Sequence, residues 1–135
     1  MAIHLNHTIV AAHDKERAAR FLTTVLGLSA HAMLGPFAVV QVSDETSLDF
    51  VEHDGEITSQ HYAFKVNENE FDAIFARIRE QSLAYWADPF RKERDQINTW
   101  DGGRGVYFDD PNGHLPTRPM DEAGTPLSRR CRKVG

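Results

Sequence analysis

The chain has a single cysteine, Cys131, so no intrachain disulfide can form and a reducing compartment, the cytoplasm, is the expected location. Cys131 sits among polar residues and reads as idle rather than as a nucleophile. No apolar run approaches the roughly 18 residues needed to cross a bilayer, and the start, MAIHLNH, lacks the basic and apolar segments of a secretory signal. Membrane insertion and export are therefore not expected. Basic charge is also scarce: 15 Lys+Arg stand against 20 Asp+Glu, for a net charge of -5. Four of those basic groups, Arg129, Arg130, Arg132 and Lys133, crowd the C-terminal end, which leaves the body of the chain more acidic than the total. A body of that sign argues against binding to a phosphate backbone as the main activity, and no nucleic-acid partner is expected. The 135 residues have room for one moderate core and not for two large domains.

What is present is an internal repeat. At a fixed offset, His7-Thr-Ile-Val-Ala-Ala-His-Asp14 aligns with His61-Tyr-Ala-Phe-Lys-Val-Asn-Glu68, and Phe21 falls on Phe75 without a gap. Each copy opens with a strand-like stretch, 3–11 and 60–66, rich in β-branched or aromatic residues. A helix follows in each. Ala18, Phe21, Leu22, Val25 and Leu26 form one apolar stripe, with Asp14 placed to cap the start and Gly27 to end it. Phe71, Ile74, Phe75 and Ile78 form the other, with Asn67 at the cap and Glu70 three residues on. Strands with hairpin punctuation complete each copy: 37–42, the turn Ser43 to Thr46 and 48–51 in the first, 105–108, the turn Asp109 to Gly113 and a strand beginning at His114 in the second. The pattern predicts an α+β fold of two βαβββ modules, about 3–53 and about 59–118, followed by an irregular basic tail over about 121–135. The segment from Asp88 to Asp101 breaks both periodicities and reads as a long loop.

The two copies place the same unusual residue at the same point. His7 and His61 occupy equivalent positions in the two first strands, and a repeated pair of imidazoles is a good start to a divalent metal site for Fe, Mn, Zn, Ni or Co. His4, His13, His31, His53 and His114 fall in turns, before caps or on the opposite strand face, and read as structural or solvated.

The string Gly105-Val-Tyr-Phe-Asp-Asp-Pro-Asn-Gly-His114 completes the pattern begun by His7-x-x-Val10, Leu26-Gly27-Leu28 and Gln60-His61-Tyr-Ala-Phe-Lys-Val66. Together these residues resemble the vicinal oxygen chelate superfamily, which includes glyoxalase I, the fosfomycin-resistance enzymes, extradiol dioxygenases and bleomycin-resistance proteins. The resemblance implies a cup-shaped mixed sheet, a homodimer and a small-molecule substrate. It also implies a divalent ion held by His7, His61 and a carboxylate on the last strand, acting as a Lewis acid on vicinal oxygens. That carboxylate is expected at position 117, where this chain has Thr117, with Pro116 and Pro119 removing amide donors from the strand. Asp49 is the candidate substitute: it falls where glyoxalase I has a Glu, it shares a strand face with Val51, and it would complete a triad with His7 and His61; the alternative is a plain polar residue on a half-exposed strand.

Tyr107 matches a cup-lining tyrosine of the fosfomycin-resistance enzymes and is the expected catalytic and substrate-binding phenol. Trp86 and Trp100 bracket the long loop as an apolar wall, and Arg104 offers a charge to a carboxylate or phenolate. Three functions follow from the resemblance: a metal-dependent lyase, dioxygenase or thiol-transferase-like enzyme; a metal-free binding protein of the bleomycin-resistance type; and an inactive member with a degraded metal site. The paired histidines favour the first.

Overall fold

Pairing begins at His7 and not at Ile3, which is fully exposed. The computed structural model describes residues 3–110 and 130–134, and these fall into two units, 3–58 and 59–110 with 130–134.

The first unit runs β1 (His7–Ala12), α1 (Lys15–Leu26), β2 (Ala32–Leu34), β3 (Phe37–Gln41) and β4 (Ser47–Glu52), a βαβββ order as expected. Its sheet has the strand order β1-β4-β3-β2, with β1 parallel to β4 and the other pairs antiparallel. Alternation along the strands sends Val10, Ala12, Ala38, Val40, Leu48 and Phe50 into the core. Helix α1 lies against β1, β3 and β4 and buries Ala18, Ala19, Leu22, Thr23 and Val25. Both helix ends form for local reasons. The Asp14 carboxylate accepts the Arg17 amide at 3.0 Å, and Gly27 takes a left-handed φ of 69° that lets the Leu28 amide reach Thr23 O at 2.9 Å.

The second unit repeats the order: β5 (His61–Lys65), α2 (Glu68–Glu80), β6 (Tyr85–Trp86), β7 (Gly105–Asp109) and β8 (Arg130–Val134). The Asn67 side chain caps α2 by accepting the Glu70 amide at 2.8 Å. Phe71, Ile74 and Ile78 are buried, and Phe75 meets Tyr85 edge-on at 5.1 Å between centroids. Strand order is β5-β8-β7-β6, so β8 occupies the slot that β4 fills in the first unit. This corrects the expectation of an irregular tail at 130–134, which form the closing strand; the strand expected to begin at His114 lies outside the described residues. His114 and Thr117 lie outside the described residues. An alternating β-branched pattern is missing from Arg-Cys-Arg-Lys-Val, which is why the tail did not read as a strand; here two neighbouring strands supply hydrogen bonds on both edges.

Candidate active site

Each sheet has one face under its helix and one face turned away from it. In the first unit the register pairs His7 with Ser47 and Ile9 with Asp49, and Asp49 with Val39. Paired residues share a face, so His7, Ser47 and Asp49 all stand on the side opposite Val10 and Phe50. Asp49 is half-buried and its carboxylate accepts the Ser47 hydroxyl at 2.8 Å. His7 is exposed, with Nδ1 2.7 Å from Asn6 Oδ1. With Nδ1 as the donor in that contact, the lone pair would be on Nε2, as in a histidine oriented for metal binding. An imidazole nitrogen and a hydroxyl-steadied carboxylate on one face fit the donor chemistry of a divalent ion.

In the second unit the corresponding face carries His61, Trp86, Tyr107 and Asp109. His61 is exposed and meets the Tyr107 ring edge-on at 5.7 Å, while Trp100 lies 6.4 Å from Tyr107 on its own side. Tyr107 itself is only 2% exposed, whereas Trp100 is 45% exposed. Of the expected ligand contacts, Trp100 is thus the one open to solvent, and Tyr107 is placed to steady the His61 ring.

Arg104 is not on this face. Its guanidinium reaches Glu68 at 2.6 Å and Asp72 at 2.8 Å at the start of α2 and lies over the Phe71 ring at 4.4 Å. Hydrogen bonds to Asp72 and then to Glu68 push its pKa further above the ordinary arginine value. The expectation that Arg104 meets substrate is corrected: one position before β7 it falls on the helix side of the sheet, where two carboxylates already match its charge.

Four residues that pattern reading passed over build the rest. The Asp88 carboxylate accepts the amides of Phe90, Lys92 and Glu93, which folds the long loop into a closed turn. Asn98 is buried, donates from Nδ2 to Ala87 O at 2.7 Å, and exchanges both backbone hydrogen bonds with Gly105 at 2.9 Å. Arg91 pairs with Asp109 and stacks over Trp86 at 5.4 Å. The Asp-Pro that opens this loop was a readable turn signal; the Asn98–Gly105 and Arg91–Asp109 pairs join residues too far apart in sequence to leave one. Among the described residues no group of three or more His, Cys, Asp or Glu gathers into a metal site.

Fold and site thus define a class: a paired βαβββ protein with a histidine on the first strand of each unit and an aromatic, charged sheet face. The chain belongs to the vicinal oxygen chelate superfamily. A solved structure named Oxidase ChaP-H2 is 46% identical over 99% of this chain and 94% of that one, with a TM-score of 0.85. Among curated proteins, glutathione transferase FosA of Serratia marcescens is 28% identical over 116 residues, 82% of this chain and 75% of that protein. The fosfomycin-resistance protein FosX from Mesorhizobium loti, at 18% identity and a TM-score of 0.61, shares the fold. No family profile matches the chain. The relatives named for an activity include an oxidase, a glutathione transferase and a metallothiol transferase, and the chain is an enzyme of the same superfamily. Among the described residues no helix is long and apolar enough to cross a membrane.

Proposed function

We propose that the protein is a metal-dependent small-molecule enzyme working as a homodimer, with His7, Asp49 and His61 as the protein donors to one divalent ion. The observation that carries this reading is Asp49: a carboxylate on the face of His7, turned away from the core and held by Ser47. A curated relative from Lysinibacillus sphaericus is named a metallothiol transferase, which supports a metal in general. A bound divalent ion supplies Lewis acidity toward neighbouring oxygens of a substrate. The chain's own residues do the rest. Asn6 fixes the His7 tautomer, Ser47 orients Asp49, Tyr107 steadies the His61 ring, and Trp100 offers an apolar surface to a ligand.

A second reading, a metal-free binding protein, rests on β8: Arg-Cys-Arg-Lys-Val contains no acidic residue, so the second closing strand brings no carboxylate. Metal analysis separates the two. Untagged protein is expected to hold Fe, Mn, Co, Ni or Zn at a fixed stoichiometry, lost in His61→Ala and weakened in Asp49→Ala. Protein that stays metal-free at every supplied concentration overturns the first reading. An unchanged affinity in Asp49→Ala removes Asp49 from the donor set. Sedimentation as a monomer overturns the dimer.

A further inference from the structure

His7 is held at a place where strands ordinarily fray. It is the first residue of β1, and β1 lies at an edge of its described sheet, paired along one side with β4. The residue is exposed, so burial does not fix its ring. What precedes it is not a strand, yet residues 5 and 6 are tied down. The Ser47 amide donates to Asn6 O at 2.9 Å, and the Thr46 hydroxyl donates to Leu5 O at 2.6 Å.

Thr46 is a firm anchor for the outer tie. Its carbonyl accepts the Val42 amide at 3.0 Å, the Ser43 amide at 3.3 Å and Gln41 Nε2 at 3.3 Å, and its own amide donates to Ser43 Oγ at 3.2 Å. The backbone of Thr46 is thus engaged within the turn between β3 and β4, which asks nothing of the Thr46 side chain. That leaves the hydroxyl to reach a carbonyl 41 positions earlier in the chain. One residue further out, His4 meets Glu45 at 2.7 Å, but the two side chains are 57% and 61% exposed, and a pair so open to water holds a segment weakly.

Both ties lead to the proposed donors. Asn6 follows directly on Leu5, and its Oδ1 faces His7 Nδ1 at 2.7 Å. Ser47, whose amide holds Asn6 O, also donates its hydroxyl to Asp49. His7 and Asp49 are therefore linked through Asn6 and Ser47, and Thr46 fastens the open end of that linkage.

We infer that Thr46 is a positioning residue, whose hydroxyl holds Leu5 so that Asn6 keeps the His7 ring turned with Nδ1 on its carboxamide oxygen and Nε2 left for coordination. This rests on the reading of His7 as a metal donor and adds the contact that makes an exposed imidazole at a strand end a fixed one.

The test uses the full untagged chain, stripped with EDTA, in two measurements. The first is NMR of isotope-labelled imidazole nitrogens without metal, at a pH where the histidines are neutral. His13 is the reference in the same spectrum: its Nδ1 lies 3.0 Å from His53 O, a carbonyl that can only accept, so that ring carries its proton on Nδ1. His7 is expected to show the same tautomer in the wild-type chain, to move toward a mixture of tautomers in Thr46→Val, and to keep the wild-type signal in Thr46→Ser. The second measurement is titration with Co²⁺ alone, in which Thr46→Val is expected to bind about fivefold more weakly and Thr46→Ser like the wild type. Thr46→Ala replaces Thr46→Val if that variant does not fold. A His7 proton on Nε2 in the wild-type chain, an unchanged His7 signal in Thr46→Val, an equal change in Thr46→Ser, or a shift of His13 as large as that of His7 overturns the inference. A wild-type chain that takes up no metal defeats the metal reading alone, and the His7 signal then decides by itself whether Thr46 holds the ring. A chain that binds Co²⁺ with the same affinity in Thr46→Val as in the wild type defeats this inference alone.

Discussion

Gly105→Ala is the most informative single perturbation of this fold. Gly105 opens β7 and is buried, and a Cβ built on it meets Asn98 Oδ1 at 2.7 Å, Nδ2 at 2.8 Å and Cγ at 3.1 Å. Asn98 has nowhere to retreat. Its amide donates to Ala87 O at 2.7 Å, and its backbone is tied to Gly105 in both directions. Either the side chain moves and strands a buried carbonyl, at about 1–3 kcal/mol, or the strand shifts and overpacks, at a similar cost. The expected loss is about 2 kcal/mol, which lowers a urea midpoint by roughly 1 M for a slope near 2 kcal/mol/M. Because Asn98 also accepts the Trp100 amide at 3.4 Å, the loop that carries Trp100 should loosen, and Trp fluorescence should change before the main transition. A double-mutant cycle identifies the cause: in an Asn98→Gly background the clash is gone, so Gly105→Ala should cost less than about 0.5 kcal/mol. A single-mutant loss under that value, or a full loss persisting beside Asn98→Gly, refutes the reasoning.

Other perturbations follow from the same contacts. Asp14→Ala removes the acceptor of the Arg17 amide and should cost about 1 kcal/mol in equilibrium unfolding, with Asp14→Ser restoring most of it. Asp88→Ala leaves three loop amides without their shared carboxylate, for a loss of about 2–3 kcal/mol, and amide exchange at Phe90, Lys92 and Glu93 should accelerate while α1 stays protected. Arg104→Gln should leave metal content unchanged, since Arg104 serves α2; any stability change it causes should shrink as salt is added. A loss of metal would return Arg104 to the site.

Local signals accounted for much of the fold. Asp14, Gly27 and Asn67 mark helix ends because each acts within three or four residues of itself, and the apolar stripes of α1 and α2 follow from a period set by the helix alone. The His7 and His61 positions were legible because the chain states them twice. The closing strand of the second unit was not, since Arg130–Val134 pairs with β5 and β7 through backbone groups that any residue carries. Arg104 misled because its charge is visible in sequence and the two carboxylates that engage it, 36 and 32 positions away, are not. Arg91 escaped notice for the mirror-image reason: its partner Asp109 and the stacking on Trp86 exist only once the loop is closed.

The place of β8 between β5 and β7 also orders events during synthesis. β5 emerges about seventy residues ahead of the strand it must pair with, about 4–14 s at ordinary translation rates. The first sheet has its own closing strand within about forty residues and can assemble in sequence. Until β8 arrives, β5 and β7 present open edges to whatever strand-forming segment is near, and that interval is when the nascent chain is most exposed to mispairing. A slowdown of translation over the codons between β7 and β8 would therefore lengthen the vulnerable period of one half of the molecule and leave the other half untouched.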